Sequence, residues 1–97
     1  MRLVNRISIK RAKQTADYLR LRHQWLKVHD VCEAPMCQGK ATEVHHKRGR
    51  IGELLCDTRH WVALYSHCHR WIHEHPKAAR DAGLLCQLGE WNKVDRT

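Results

Sequence analysis

The longest periodic pattern of apolar and polar positions lies near the N-terminus. From about Arg11 to Val28, apolar residues recur every three or four positions and basic residues line the opposite face. This spacing predicts an amphipathic helix with one face against a core. Its basic face is interpreted as solvated, with contact to phosphate groups as the alternative. The apolar positions are Tyr18, Leu21, Trp25 and Val28, with Leu19 and Leu26 beside them, and the basic ones are Lys13, Arg20 and Lys27.

Two short segments further along have the composition of strands. The first, ATEVHH (41–46), contains β-branched residues, and the second, HWVALY (60–65), is rich in apolar and aromatic residues. The intervening loop, Lys47 to Arg59, is long for so small a domain, and such loops are usually functional. Its glycines permit close backbone approach and its basic side chains suit a phosphate backbone, although a flexible solvated loop is the alternative. These residues are Gly49, Gly52, Lys47, Arg48, Arg50 and Arg59.

Helical spacing returns from Ser66 to about His75. Pro76 then predicts the start of a second helical segment, and Gly83 is placed to cap its C-terminus. Together with the first helix and the two strands, these segments predict a small α+β domain. No repeat, low-complexity tract or Pro/Gly-rich linker divides the chain.

Length and charge restrict the class of protein further. A chain of 97 residues allows one domain with a small core, for which a covalent or metal staple is expected. The net charge of +8 favours an anionic partner, either nucleic acid or a membrane surface, because lysine and arginine displace counterions from phosphates. No apolar run approaches the roughly 20 residues that span a bilayer, and the first residues lack a secretory signal. We therefore expect a cytoplasmic protein that does not cross a membrane.

The cysteines are the first source of candidate chemistry. Their number, five, is odd, and a reducing compartment would keep them as thiols, so metal ligation is favoured over disulfides. Cys32 and Cys37 flank a turn that contains Pro35, a spacing that suits one half of a zinc knuckle. A second pair of ligands must come from elsewhere in the chain.

The histidines are the second source. His69 and His73 lie four residues apart, so on a helix they share one face and could hold a single ion. His45 and His46 lie on a strand that a β-hairpin would fold back against that helix. Because adjacent strand residues point to opposite faces, these two histidines are expected to have different roles.

In this order the motifs resemble those of the HNH endonucleases, especially the small stand-alone kind of bacteriophage genomes. The resemblance covers about residues 18–85 and rests on the cysteine pair, on ATEVHHKRGR (41–50), on LLxD (54–57), and on CHRWIH (68–73) followed by PxxAxxxG (76–83). It implies a ββα-metal fold, in which two strands and a helix hold one catalytic divalent ion, set on a zinc knuckle. It further implies one nuclease domain over 1–97, with a motif core at about 30–85 and an N-terminal helix at about 11–28.

Residue by residue, the resemblance implies that His45, His69 and His73 are the ligands of the catalytic ion and His46 the general base. Mg²⁺ or Mn²⁺ suits an oxygen-rich site, whereas three histidines also suit Ni²⁺ or Zn²⁺, so the ion stays open. DNA, and not a membrane, is the implied partner, contacted by Lys47, Arg48, Arg50, Arg59 and Arg70.

The knuckle departs from the family pattern, because Tyr65 stands where a further cysteine is expected. The remaining ligands of a structural Zn²⁺ are Cys32, Cys37 and Cys68, and the fourth ligand is Cys56, His67 or a water. In the alternative, the structural zinc is lost and packing around Trp61 and Tyr65 replaces it.

The second departure is His60, which stands where the family has its middle asparagine. That asparagine usually pins the long loop by bonding to its backbone, and a neutral histidine also offers one donor and one acceptor. His60 is therefore expected either to take over this role or to act as an extra metal ligand. The asparagines of the chain are Asn5 and Asn92.

The resulting expectation is a metal-dependent endonuclease that nicks or cleaves DNA, acting in the host cytoplasm if it is encoded by a phage. The alternative is a catalytically silent, zinc-stabilised DNA-binding module that works with phage packaging or terminase proteins. The tryptophans are expected to pack in the core or at its rim.

Overall fold

A computed structural model describes residues 6–35 and 37–94, and within these residues it contains three α-helices and one two-stranded antiparallel sheet. The small α+β architecture expected from the sequence is therefore confirmed. The remaining residues, which include Asn5 and both ends of the expected 1–97 domain, lie outside the described part. In chain order the elements are α1 (Arg6–Val28), β1 (Glu43–His46), β2 (Trp61–Leu64), α2 (Ser66–Glu74) and α3 (Pro76–Asp81).

Helix α1 begins at Arg6, earlier than the predicted Arg11, and packs against the domain through residues between Tyr18 and Leu26. A helix of this length extends about 35 Å, whereas a four-residue strand extends only about 13 Å. Tyr18 is therefore buried against the sheet, while Val28, predicted on the apolar face, is 77% exposed. The residues that pack with Tyr18 are Val44, Trp61, Leu21, Trp25, Leu26, Leu55 and Cys56.

The two strands are shorter than predicted but pair as a hairpin would require. His45 lies opposite Val62, and His46 lies opposite Trp61. Because side chains alternate along a strand, Val44 and Trp61 pack towards α1. The other face of the sheet packs against α2, α3 and the segment after α3, through Val62, Leu64, Ile72, Ala79 and Leu84.

The long connection between the strands contains local secondary structure. It contains two short 3₁₀ helices, Gly52–Cys56 and Thr58–His60. Leu54 of the first is 1% exposed and anchors the connection to the domain. Asp57 caps the second, since its carboxylate accepts the backbone N–H of Arg59 at 3.2 Å. These contacts fix the connection close to the ends of both strands.

The chain after α3 returns to the start of this connection. Gly83 has a φ of +78°, and the Leu84 N–H then bonds to the Ala79 carbonyl at 2.9 Å, so the predicted glycine cap is confirmed. The backbone N–H of Cys86 donates to the Lys47 carbonyl at 2.9 Å, and that of Asn92 donates to the Arg48 carbonyl at 2.7 Å. The segment 86–92 is thus bonded to the backbone of Lys47 and Arg48, the two residues that directly follow β1.

Candidate metal centres

Three histidines from two elements converge at the edge of the sheet. His45 lies on β1, and His69 and His73 lie one turn apart on α2, as their spacing predicted. One ring nitrogen from each lies within 4.8 Å of the other two. The ring centroids are 5.1 Å apart for His45 and His69, 5.1 Å for His69 and His73, and 5.9 Å for His45 and His73. This group could hold one metal ion.

The ring of His45 is oriented by the segment after α3. Its Nε2 lies 2.9 Å from the Leu84 carbonyl oxygen. A carbonyl only accepts hydrogen bonds, so Nε2 carries the hydrogen and Nδ1 keeps its lone pair in the neutral ring. Burial, reinforced by the neighbouring His69, lowers the pKa of His45 to about 4. His45 is therefore neutral at physiological pH, the form that binds a metal.

A carboxylate orients the second histidine. Nδ1 of His69 donates to Oε1 of Glu43 at 2.7 Å, which leaves Nε2 as the ligating nitrogen. Glu43 lies two residues before His45, so both side chains emerge from the same face of β1. A carboxylate behind a metal-binding imidazole fixes the ring and raises its basicity as a ligand.

His46 is held by a different carbonyl. Its Nε2 donates to the Leu55 oxygen at 2.9 Å, and the indole N–H of Trp61 donates to the same oxygen at 3.1 Å. The ring also contacts those of Tyr18 and Trp61, with centroid distances of 5.3 and 5.5 Å. Burial lowers the pKa of His46 below its ordinary value, so Nδ1 presents a lone pair at neutral pH. A nitrogen in this state can accept a proton.

One cavity of about 200 Å³ joins His46 to the three-histidine group. Arg50 brings a cation to this cavity, and its guanidinium lies over the Tyr18 ring at 5.3 Å from the centroid. The cavity thus combines the neutral imidazoles of His45 and His46 with one permanent positive charge. Its lining residues are Val44, His45, His46, Arg50, His69, His73 and Trp91.

The second group consists of the three predicted knuckle cysteines. Cys32, Cys37 and Cys68 place their sulfur atoms within 4.8 Å of one another, and these sulfurs could bind a metal such as zinc. Backbone bonds close the loop between the first two, from the Cys32 N–H to Gly39 and from the Cys37 N–H to Ala34.

The thiols differ in acidity. A backbone bond from Gly39 lowers the pKa of Cys37, whereas burial and the neighbouring thiols raise the pKa of Cys68 to about 12. Crowding of this kind is relieved when a cation replaces the thiol protons.

Neither side chain considered as a fourth ligand joins this group. Cys56 packs against α1 and its sulfur donates to the Gln14 carbonyl at 3.8 Å. His67 is exposed and its ring lies 5.4 Å from that of Tyr65. Within the described residues, the group contains three protein ligands. Of the three predicted alternatives for the fourth ligand, a water therefore remains.

His60 lies away from the three-histidine group. It lines a different cavity, of about 260 Å³, together with Lys47, Arg48 and Arg80. Its Nε2 is buried without a hydrogen-bond partner, 3.9 Å from a carboxylate oxygen of Asp57. Burial lowers the pKa of His60, so the ring is neutral. The loop contact at this position comes from the backbone, because the His60 carbonyl accepts the Lys47 N–H at 3.0 Å.

The basic residues predicted to contact DNA are distributed over several surfaces. Arg50 lines the histidine cavity, whereas Lys47 and Arg48 line the cavity of His60. Arg59 makes two bonds to the Asp57 carboxylate, at 2.9 and 2.8 Å. Arg70 is exposed on α2. The structure brings one of these five side chains, Arg50, to the histidine cavity.

Four residues of the histidine site were missed by sequence reasoning: Glu43, Leu55, Leu84 and Trp91. Glu43 carried a usable signal, since its spacing from His45 places both on one face of a strand. Leu55 and Leu84 act through backbone carbonyls, which no side-chain pattern reveals.

Comparison of the chain with protein-family models, with curated proteins and with solved structures finds no match. Within the described residues, no helix is long and apolar enough to cross a membrane.

Proposed function

We propose that the chain is a metal-dependent endonuclease of the HNH type that hydrolyses phosphodiester bonds in DNA. In this proposal β1, β2 and α2 form the ββα-metal fold, and His45, His69 and His73 hold one divalent ion. The observation that carries the proposal is the position of His46, which shares a cavity with the three ligands and has its ring fixed by the Leu55 carbonyl.

The chemistry assigned to His46 follows from its protonation state. Nδ1 is the unprotonated nitrogen of a ring that burial keeps neutral, so it takes a proton from the attacking water. A divalent ion in the neighbouring group would stabilise the charge of the phosphate and of the leaving alkoxide. Arg50 provides a further positive charge for the phosphate.

The remaining features support an anionic polymer as substrate. The chain carries a net charge of +8, and a second basic cavity lies around Lys47, Arg48 and Arg80. A zinc ion held by Cys32, Cys37 and Cys68 stabilises the small core in this proposal, because binding of such an ion contributes to folding.

The direct test is a plasmid-nicking assay with purified protein and Mg²⁺, Mn²⁺, Ni²⁺ or Zn²⁺. With the ion that supports nicking, His46→Ala is expected to lower the rate about 10² to 10⁴-fold while metal content and DNA affinity stay near those of the parent. His23→Ala, on an exposed position of α1, is the matched control and retains activity. A His46→Ala protein that nicks at the parental rate would contradict the assignment.

A second candidate function is a catalytically silent DNA-binding module, and the observation that favours it is His60. Its Nε2 makes no hydrogen bond, so this side-chain atom does not bond the loop in the way inferred for the family's asparagine. Comparison of the parent with His60→Asn separates the two functions. An active parent supports the nuclease, whereas an inactive parent that His60→Asn rescues, with DNA affinity unchanged, supports the silent module.

A further inference from the structure

Trp91 lies at the histidine cavity but is not part of the core. It lines the cavity beside His45, His46 and Arg50, and its side chain is 50% exposed, whereas Trp61 is 4% exposed. Among the described residues, ring contacts are found for Trp25, Trp61 and Trp71 but none for Trp91. The indole thus leaves a large apolar surface in water next to the three-histidine group.

The backbone around this indole is held in place. The residue before it, Glu90, accepts Nη1 of Arg48 at 3.4 Å, and the residue after it, Asn92, donates its backbone N–H to the Arg48 carbonyl at 2.7 Å. Nη2 of Arg48 also donates to the Lys93 carbonyl at 3.2 Å. Arg48 lies two residues after His46, so Trp91 is fixed relative to the end of β1. Tryptophan has only two side-chain torsions, so an indole on a backbone held in this way loses little conformational freedom when a flat ligand stacks on it.

The charges of this region restrict the identity of that ligand. Arg50 lines the same cavity, and the protein carries a net charge of +8, which disfavours a second copy of the chain as the partner. The ligand must therefore carry a negative charge for Arg50 and a flat apolar face for Trp91. A nucleotide has both, in its phosphate and its base. Stacking of bases on aromatic side chains is a general mode of single-strand binding.

We propose that Trp91 stacks on the base of an unpaired nucleotide whose phosphate lies in the histidine cavity. The preferred substrate is therefore single-stranded DNA, or a duplex with an unpaired base at the site of reaction. Within a regular duplex, both faces of a base are covered by its neighbours, so the indole has no face to stack on. This inference rests on the proposed nuclease function for its substrate, but it can fail while that function holds.

The test compares the zinc-loaded parent with Trp91→Leu, which keeps an apolar side chain but removes the aromatic ring. Tryptophan fluorescence is followed during titration with phosphorothioate oligothymidine and with a duplex of the same length. For the single strand, the parent is expected to show quenching and Trp91→Leu to bind about 5- to 100-fold more weakly. For the duplex, the two proteins bind within about twofold of each other. Leu88→Ala, 80% exposed in the same segment, is the control and binds both like the parent.

A second measurement uses the parent itself and does not depend on how a variant folds. A series of single strands, each lacking one base at a different position, is titrated in turn. The parent should lose affinity chiefly at one position, and Trp91→Leu should lose none there, because the two changes remove the same contact.

The outcomes distinguish base stacking on Trp91 from the proposed nuclease function. Equal weakening of single-strand and duplex binding in Trp91→Leu, or no sensitive position in the abasic series, would overturn the inference and leave the nuclease proposal intact. A parent that binds neither form of DNA would overturn both.

Discussion

Nδ1 of His69 lies 2.7 Å from a carboxylate oxygen of Glu43, so a residue on β1 orients a candidate metal ligand on α2. The bond crosses from the sheet to the helix and fixes which nitrogen of His69 faces His45 and His73. Strand β1 therefore carries two parts of the site. His45 is itself a candidate ligand, and Glu43 holds the ring of His69, a candidate ligand on α2. The rings of both His69 and His45 are thus oriented by contacts with other groups of the protein.

Replacement of Glu43 by Ala should weaken metal binding at the three-histidine group about 10- to 100-fold, because the ring of His69 loses the carboxylate that orients it. Calorimetric titration of the zinc-loaded protein with Ni²⁺ or Mn²⁺ measures this affinity. Glu74→Ala, exposed at the end of α2, is the control and leaves the affinity unchanged. Equal affinities for Glu43→Ala and the parent would show that the contact with His69 does not orient the ligand.

Replacement of Cys68 by Ser should remove tightly bound zinc and lower the melting temperature by about 10 °C or more. The reason is that binding of a structural ion contributes to folding, and about 2 kcal/mol corresponds to such a shift in a small domain. Elemental analysis and thermal unfolding provide the measurements. Cys86→Ser is the control, since Cys86 lies outside the three-cysteine group and should retain both zinc and stability. A well-folded parent without zinc would contradict the assignment.

Replacement of Arg50 by Gln should weaken DNA binding and make it less dependent on salt. Arg50 lines the histidine cavity, and loss of one phosphate contact lowers the slope of log affinity against log salt by about one. Affinities measured from about 50 to 200 mM salt give this slope. Lys77→Gln removes the same charge on exposed α3, where Lys77 lies 3.7 Å from Asp81, and should leave the slope unchanged. The same slope in Arg50→Gln as in the parent would place the phosphate elsewhere.

Protonation of His60 should make the free energy of unfolding depend on pH. Burial holds the pKa of His60 in the folded protein below its ordinary value of 6.5. As the pH falls below about 7, the unfolded chain therefore takes up a proton at this residue before the folded chain does, and the free energy of unfolding decreases. Above that range both states are neutral and the contribution vanishes.

His60→Asn removes this titration. Its free energy of unfolding relative to the parent should increase as the pH falls from about 7.5 to about 5.5. Denaturant unfolding of both proteins at several pH values gives the difference, in which contributions from the other histidines cancel. His67→Asn, on an exposed position of α2, controls for the substitution itself. Unfolding free energies of His60→Asn and the parent that change in parallel would contradict this account.

The sequence by itself determined the features that depend on neighbours along the chain. Two histidines four residues apart share a helix face, and Cys32 and Cys37 flank one tight turn, because local backbone geometry fixes both relations. The order of elements and the α+β class followed from the same short-range periodicities. Where these periodicities misled, as at Val28, the helix extended beyond a sheet too short to cover it.

Only the tertiary structure decided which distant groups meet. The carbonyls of Leu55 and Leu84 orient His46 and His45 from 9 and 39 positions away, and Trp91 reaches the histidine cavity from the end of the described chain. It also separated His60 from the histidine group and, among the described residues, left the cysteine group with three candidate ligands. Backbone groups are the same in every residue type, so the sequence carries no sign of which carbonyl will face a given ring. Which carbonyl faces each ring is determined only when α1, the hairpin and the segment after α3 pack together.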